Sequence, residues 1–167
     1  MTDYCDTNIL TAFVNKERLK TLGEYAYRKF EKNISSELNF AESKSRNIKS
    51  CVISRHALVK DLGGHLPSLG AVLTSTGIKE VRIKKVNGIE KGKEIYNKAC
   101  GKVSKESEFY GKFCDNQKIK LDENIKHNEL NDIRHFGSAV ELGATRFITI
   151  NKKDFKPLKN VIKMEIV

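Results

Sequence analysis

At 167 residues the chain is long enough for one domain with its own hydrophobic core, and 39% hydrophobic with 31% charged residues excludes a disordered or fibrous class. The 31 Lys and Arg against 21 Asp and Glu leave a net charge of +10, which points to an anionic partner, nucleic acid before membrane, although lysine-rich surfaces are also simply solvated in heat-adapted proteins. No apolar run approaches a membrane span and no n-region and h-region mark a signal peptide, so the expectation is a cytoplasmic protein with no membrane partner.

Asp3-Tyr4-Cys5-Asp6-Thr7-Asn8 reads as a very short strand ending in Asp6, followed by a helix lined by Ile9, Leu10, Phe13 and Val14 and capped by Thr7 or Asn8. Asp6 then stands at the carboxyl end of a strand, where a capping aspartate and a ligand-binding one look alike. A basic amphipathic helix is expected over 16–32, with Leu19, Leu22, Ala26 and Phe30 inward; its lysines and arginines read as a phosphate-binding flank or as a solvated face. Ile34-Ser35 suits a short strand and Ser36 an N-cap, which places Glu42 in the helix that follows.

The middle reads as scaffold. A helix is expected from Cys51 to Leu62, ended by Gly63-Gly64, and another from Pro67 to Gly77. Val81 to Val86 alternates partly like a strand, Asn87-Gly88 reads as a turn, and Ile95, Tyr96 and Ala99 mark the next helix. The lysine-rich stretch 101–126 carries Phe109, Tyr110 and Phe113, which suit either an RNA-contacting flap or a helix with Phe109 and Phe113 packed at i, i+4. Cys5, Cys51, Cys100 and Cys114 include no C-x-x-C pair and are expected as reduced thiols, not a zinc site.

Near the end, Asp132 opens a helix carrying Ile133, Phe136 and Val140, with Gly143 as its left-handed cap; a buried strand over 145–150 follows, with Asn151 and Asp154 beyond it. Val161 to Val167 alternates like an edge strand. The helix–strand order predicts an α/β fold, in which ligands bind at the carboxyl edge of the sheet. Asp132 taken alone suits the first turn of any helix, because a carboxylate there offsets the helix dipole. Asp154 suits the cap of a short final helix before Pro157.

Four stretches in order resemble the motifs of PIN domains. Tyr4-Cys5-Asp6-Thr7-Asn8-Ile9-Leu10 resembles the first, Ser36-Glu37-Leu38-Asn39-Phe40-Ala41-Glu42 the second, and Asn131-Asp132-Ile133-Arg134-His135 through Thr149-Ile150-Asn151 the third and fourth. The likeness covers both ends of the chain and is thin between Cys51 and Lys126. Asn151 departs from the aspartate common in the family, and Asp61 is a rival to Glu42 as second acid. The resemblance implies a single PIN-like domain over 1–167, a three-layer α/β/α sandwich with a short, mostly parallel sheet. It implies hydrolysis of single-stranded RNA at an acidic Mg²⁺ or Mn²⁺ site, either as the toxin of a toxin–antitoxin pair with a small antitoxin partner or in RNA processing, and a homodimer. The alternative is a catalytically weak PIN-like module that binds RNA or protein.

Three carboxylates brought together repel one another unless a cation neutralises them, and all-oxygen donors favour Mg²⁺ or Mn²⁺ over zinc. On this reading Asp6, Glu42 and Asp132 are the catalytic ligands and Asn151 completes the set. Thr7, Asn8 and Thr149 orient the carboxylates or the phosphate, and Asp154 is the alternative fourth group. His135, one helical turn from Asp132, is expected near the site or as a core or surface histidine.

Overall fold

The structure is a computed structural model that describes residues 2–12, 36–37, 39–40, 43, 51–62, 70, 73–74, 76–83, 85–114 and 127–167. Five short strands form one sheet: β1 (Asp3–Cys5), β2 (Cys51–Ser54), β3 (Lys79–Val81), β4 (Arg146–Ile148) and β5 (Glu165–Ile166). Their order is β3-β2-β1-β4-β5 and every pairing is parallel. The described helices are α1 (Arg55–Leu62), α2 (Lys85–Cys100), α3 (Glu108–Phe113), α4 (His127–Glu141) and α5 (Lys152–Phe155), the last running into a 3-10 turn over Lys156–Asn160; residues 7–12 are also helical. The α/β class is as expected, and an all-parallel sheet with helical crossovers is consistent with a three-layer sandwich, because parallel sheets are covered on both faces.

The central strands are apolar on both faces, which explains their sequences. Tyr4 and Cys5 of β1, Cys51 and Ile53 of β2, and Phe147 and Ile148 of β4 are fully buried. Tyr4 and Phe147 are register partners whose rings stack 5.6 Å apart. Beside the sheet, Phe136, Phe147 and Phe155 join Tyr96, Phe109 and Phe113 in one aromatic core, tightest at Tyr96–Phe113 (4.6 Å) and Phe147–Phe155 (4.7 Å).

α2 and α4 lie almost backbone to backbone. A Cβ built on Gly92 would strike the main-chain oxygen of Ile133, and one on Gly137 would strike that of Gly88. These glycines set how closely the two helices approach.

Several expectations change here. Cys51–Ser54 is a strand, not the start of a helix; a short, fully buried apolar run has no periodicity to separate the two. The third strand is Lys79–Val81 rather than 81–86, and Asn87-Gly88 lies inside α2. Gly88 is there for helix contact and not for a turn. The cysteines also differ, since Cys100 and Cys114 form a disulfide while Cys5 and Cys51 remain thiols. Spacing of 14 residues gave no motif, and only the fold brings the two together.

Other expectations hold. Phe109 and Phe113 pack at i, i+4 in α3, with ring centroids 5.0 Å apart. Gly77 and Gly143 adopt positive φ, at 74° and 65°, and β5 is an edge strand. The helix expected over 16–32, the Ile34-Ser35 strand and the Gly63-Gly64 stop lie outside the described residues. No helix among the described residues is long and apolar enough to cross a membrane.

Candidate acidic site at the carboxyl edge of the sheet

Strand order reverses between β1 and β4, since β1 continues to β2 on one side while β4 and β5 build the other. In open parallel sheets the crevice beyond the carboxyl ends of such strands is where ligands bind. Asp6 is the first residue past β1, and its main-chain N–H still pairs with the Ile148 carbonyl at 2.9 Å. Its side chain is nearly buried and both oxygens are engaged. Oδ1 accepts the Thr7 N–H at 2.7 Å, and Oδ2 accepts Asn8 Nδ2 and the Thr149 hydroxyl, each at 2.8 Å.

Thr7, Asn8 and Thr149 therefore hold Asp6 in place. Asn8 Nδ2 also donates to Thr149 Oγ1 at 2.9 Å, and its Oδ1 accepts the Ile150 N–H at 3.1 Å. Thr149 Oγ1 further accepts the Asn151 N–H at 3.1 Å. The asparagine clamps the end of β1 to the end of β4, which fixes Asp6 across the switch point.

His135 is fully buried beneath this network. The Ser54 N–H donates to the Tyr4 hydroxyl at 3.1 Å, Tyr4 Oη lies 2.9 Å from His135 Nδ1, and His135 Nε2 lies 2.5 Å from Thr7 Oγ1. Which partner donates in each of these two contacts is set by the imidazole tautomer. Of the expectations for this histidine, the surface one fails and the core one fits, with a contact to the residue that orients Asp6.

Asp132 does not open its helix. α4 starts at His127, which puts Asp132 in the second turn, beyond the reach of a first-turn dipole effect. Burial, together with the charges of Asp6 and Asp154, pushes its pKa from 3.8 up to about 7, against the opposing pull of Lys112. Asp132 is thus near enough to Asp6 and Asp154 to feel both charges.

Lys112 of α3 is the group that the sequence did not point to. Its Nζ sits between Asp132 (3.2 Å) and Asp154 (2.7 Å), with all three side chains largely shielded. Burial alone would depress the Lys112 pKa; the bond to Asp154 and the charges of both aspartates turn the net shift upward. Nothing local separates Lys112 from the many other lysines of the chain.

Asn151 is exposed, and its side-chain amide donates to Asp154. Asp154, not Asn151, shares the lysine with Asp132. Glu42 lies outside the described residues, but Phe40, two positions earlier, lies under the Lys152 ammonium at 5.8 Å, beside Asn151. Asp61 is the seventh residue of α1, about 10 Å of helical rise from the end of β2; its side chain is outside the described residues.

One polar atom in this region lacks a partner. Tyr96 Oη is buried with no hydrogen bond among the described residues, and burial together with the charges of Asp132, Asp6 and Asp154 pushes the phenol pKa well up. Among the described residues, no group of three or more His, Cys, Asp or Glu is gathered tightly enough to hold a metal ion. The donors facing one another are all oxygens, the set a hard divalent cation takes, and the Lys112 ammonium stands in for a cation between two of them.

No protein-family model matches the chain, and neither a curated protein nor a solved structure is significantly similar to it.

Proposed function

We propose that this acidic site is the catalytic centre of a PIN-like ribonuclease that hydrolyses phosphodiester bonds of single-stranded RNA with Mg²⁺ or Mn²⁺. The observation that carries the proposal is the placing of Asp132, paired through Lys112 with Asp154, at the switch point beside Asp6, where burial first, and then the charges of Asp6 and Asp154, lift its pKa to about 7 with Lys112 still in place. Such a site is short of positive charge. Asp6 and Asp132 would hold the cation, with Asp154 in the role expected of Asn151; Glu42 keeps the role that the sequence resemblance gives it. A divalent cation there supplies charge neutralisation and Lewis acidity toward a phosphodiester.

The residues of the chain account for the rest. Thr7, Asn8 and Thr149 present Asp6 in one orientation, and His135 fixes Thr7 from below. Lys152, Lys153 and Lys156 surround Asp154 in sequence, and Lys153 and Lys156 are exposed, which suits a phosphate backbone arriving at this edge. The narrower form of the proposal is the toxin of a toxin–antitoxin pair; an RNA-processing nuclease uses the same site.

One observation favours the alternative of a catalytically weak binding module: Lys112 already pairs with two of the three carboxylates. Incubating the purified chain with labelled single-stranded RNA, with Mn²⁺ or with EDTA, separates the two. Cleavage only with Mn²⁺, lost in Asp6→Asn, supports the nuclease; RNA retention without cleavage supports the module.

A further inference from the structure

Lys112 reaches the acidic site from a short element that a covalent bond anchors. α3 has six residues, too few to persist unaided in water. Three things hold it: the Ser107 side chain accepting the Tyr110 N–H, the packing of Phe109 and Phe113 on Tyr96 (5.7 and 4.6 Å), and the Cys100–Cys114 bond. That bond joins the last residue of α2 to the C-cap of α3. Cys114 is two positions from Lys112, so the bond fixes the backbone that carries the ammonium.

The same helix covers Tyr96, whose hydroxyl is buried without a partner among the described residues. A buried donor left unsatisfied costs free energy. Here it lies near Asp132, Asp6 and Asp154, and the Lys112 ammonium pairs with Asp132 and Asp154. With α3 in place, Lys112 therefore occupies carboxylate oxygens that these two aspartates would offer a cation. Cys5 and Cys51 are buried thiols outside any disulfide, so among the described residues a reductant has one disulfide on which to act.

We infer that Cys100–Cys114 is a redox latch: as a disulfide it seats Lys112 between Asp132 and Asp154 and excludes a divalent cation, and as two thiols it lets α3 lift so that the carboxylates accept Mg²⁺ or Mn²⁺. The inference rests on the reading of these acids as a metal site. Lysine and metal compete because Mg²⁺ binds oxygen at about 2.0–2.1 Å, which leaves no room for an ammonium on the same carboxylates. The redox step needs a dithiol. One thiolate of the reductant attacks Cys100 Sγ, the less buried of the two residues, and Cys114 leaves as a thiolate and takes a proton. The second thiol of the reductant then displaces Cys100. Two electrons and two protons pass to the protein, and the reductant ends as its own disulfide.

The test is amine-labelling mass spectrometry of the full chain, oxidised and after reduction with dithiothreitol, beside Mn²⁺ calorimetry on both forms. Lys98 and Lys102, on and just past α2, are the internal references. Reduction is expected to raise Lys112 labelling several-fold over both references and to tighten Mn²⁺ binding by roughly 10-fold or more. The Cys100→Ser/Cys114→Ser variant is expected to behave as the reduced chain, and oxidised Lys112→Met to bind Mn²⁺ as tightly as the reduced parent. Equal protection of Lys112 in both forms overturns the latch, as does a common rise at all three lysines, which would mark the disulfide as a staple of the whole fold. Selective release of Lys112 with no Mn²⁺ uptake by any form supports the latch and overturns the metal reading.

Discussion

Replacing Asp132 by asparagine should stabilise the protein at neutral pH while removing its proposed activity. The Asp132 pKa rises from 3.8 to about 7 through burial and the charges of Asp6 and Asp154. Between about pH 4 and pH 7 the unfolded chain has released this proton and the folded chain still holds it, so stability falls as pH rises through that window. At about 1.4 kcal/mol per unit, the shift from 3.8 to about 7 amounts to roughly 4 kcal/mol. Some water reaches the side chain, which is 21% exposed, and lowers the expected effect to about 2–4 kcal/mol. Asparagine carries no such proton and keeps nearly the same volume. The stability of the variant relative to the parent should therefore be flat below about pH 4, climb through the window and level off above about pH 7. Urea denaturation of both chains between pH 4 and pH 8, without divalent ions, measures the difference. A gap independent of pH, or an asparagine variant less stable at pH 8 than at pH 4 relative to the parent, would falsify the claim that Asp132 is pressed by its neighbours. In the reduced chain, added Mg²⁺ should close the gap from the other side by stabilising only the parent.

Three further outcomes are expected. Asp154→Asn should weaken Mn²⁺ binding and cleavage by roughly 10-fold or more, whereas Asn151→Asp should change either only a few-fold, because Asp154 and not Asn151 shares Lys112 with Asp132; a metal titration of both variants decides it. Gly137→Ala should cost about 3 kcal/mol, since the new methyl would meet the Gly88 carbonyl across the helix interface, seen as a lower urea midpoint at unchanged slope. Tyr96→Phe should be neutral or stabilising by about 1 kcal/mol in thermal melts of the oxidised chain, because it removes a hydroxyl that has no described partner; a loss of several degrees in Tm would show that the hydroxyl is satisfied.

What was legible in the sequence was whatever is written locally. Tyr4-Cys5-Asp6-Thr7-Asn8 announces a strand end and a polar turn, and the structure makes Thr7 and Asn8 hydrogen-bond partners of Asp6. Gly77 and Gly143 cap helices because only glycine takes a positive φ cheaply. Gly88 misled for the same reason: glycine serves both turns and close helix contacts, and only the presence of Gly137 opposite distinguishes them. The Cys51–Ser54 strand was hidden by its burial on both faces. Lys112 and the Cys100–Cys114 bond were illegible because both depend on where α3 lands, which is set by Phe109 and Phe113 packing on Tyr96. The placement of Asp132 at the start of a helix failed because residues 127–131 already form more than one turn.

The central claim is that the carboxylates at the β1/β4 switch point form a metal-dependent phosphodiesterase site. The most direct measurement is the rate of single-stranded RNA cleavage by the purified, reduced chain as Mn²⁺ is titrated, alongside Asp6→Asn. Cleavage should rise with Mn²⁺ to a plateau, vanish with EDTA, and be lost in Asp6→Asn while the circular dichroism spectrum is unchanged. Cleavage that persists at the parent rate in EDTA, or in Asp6→Asn, would contradict the assignment.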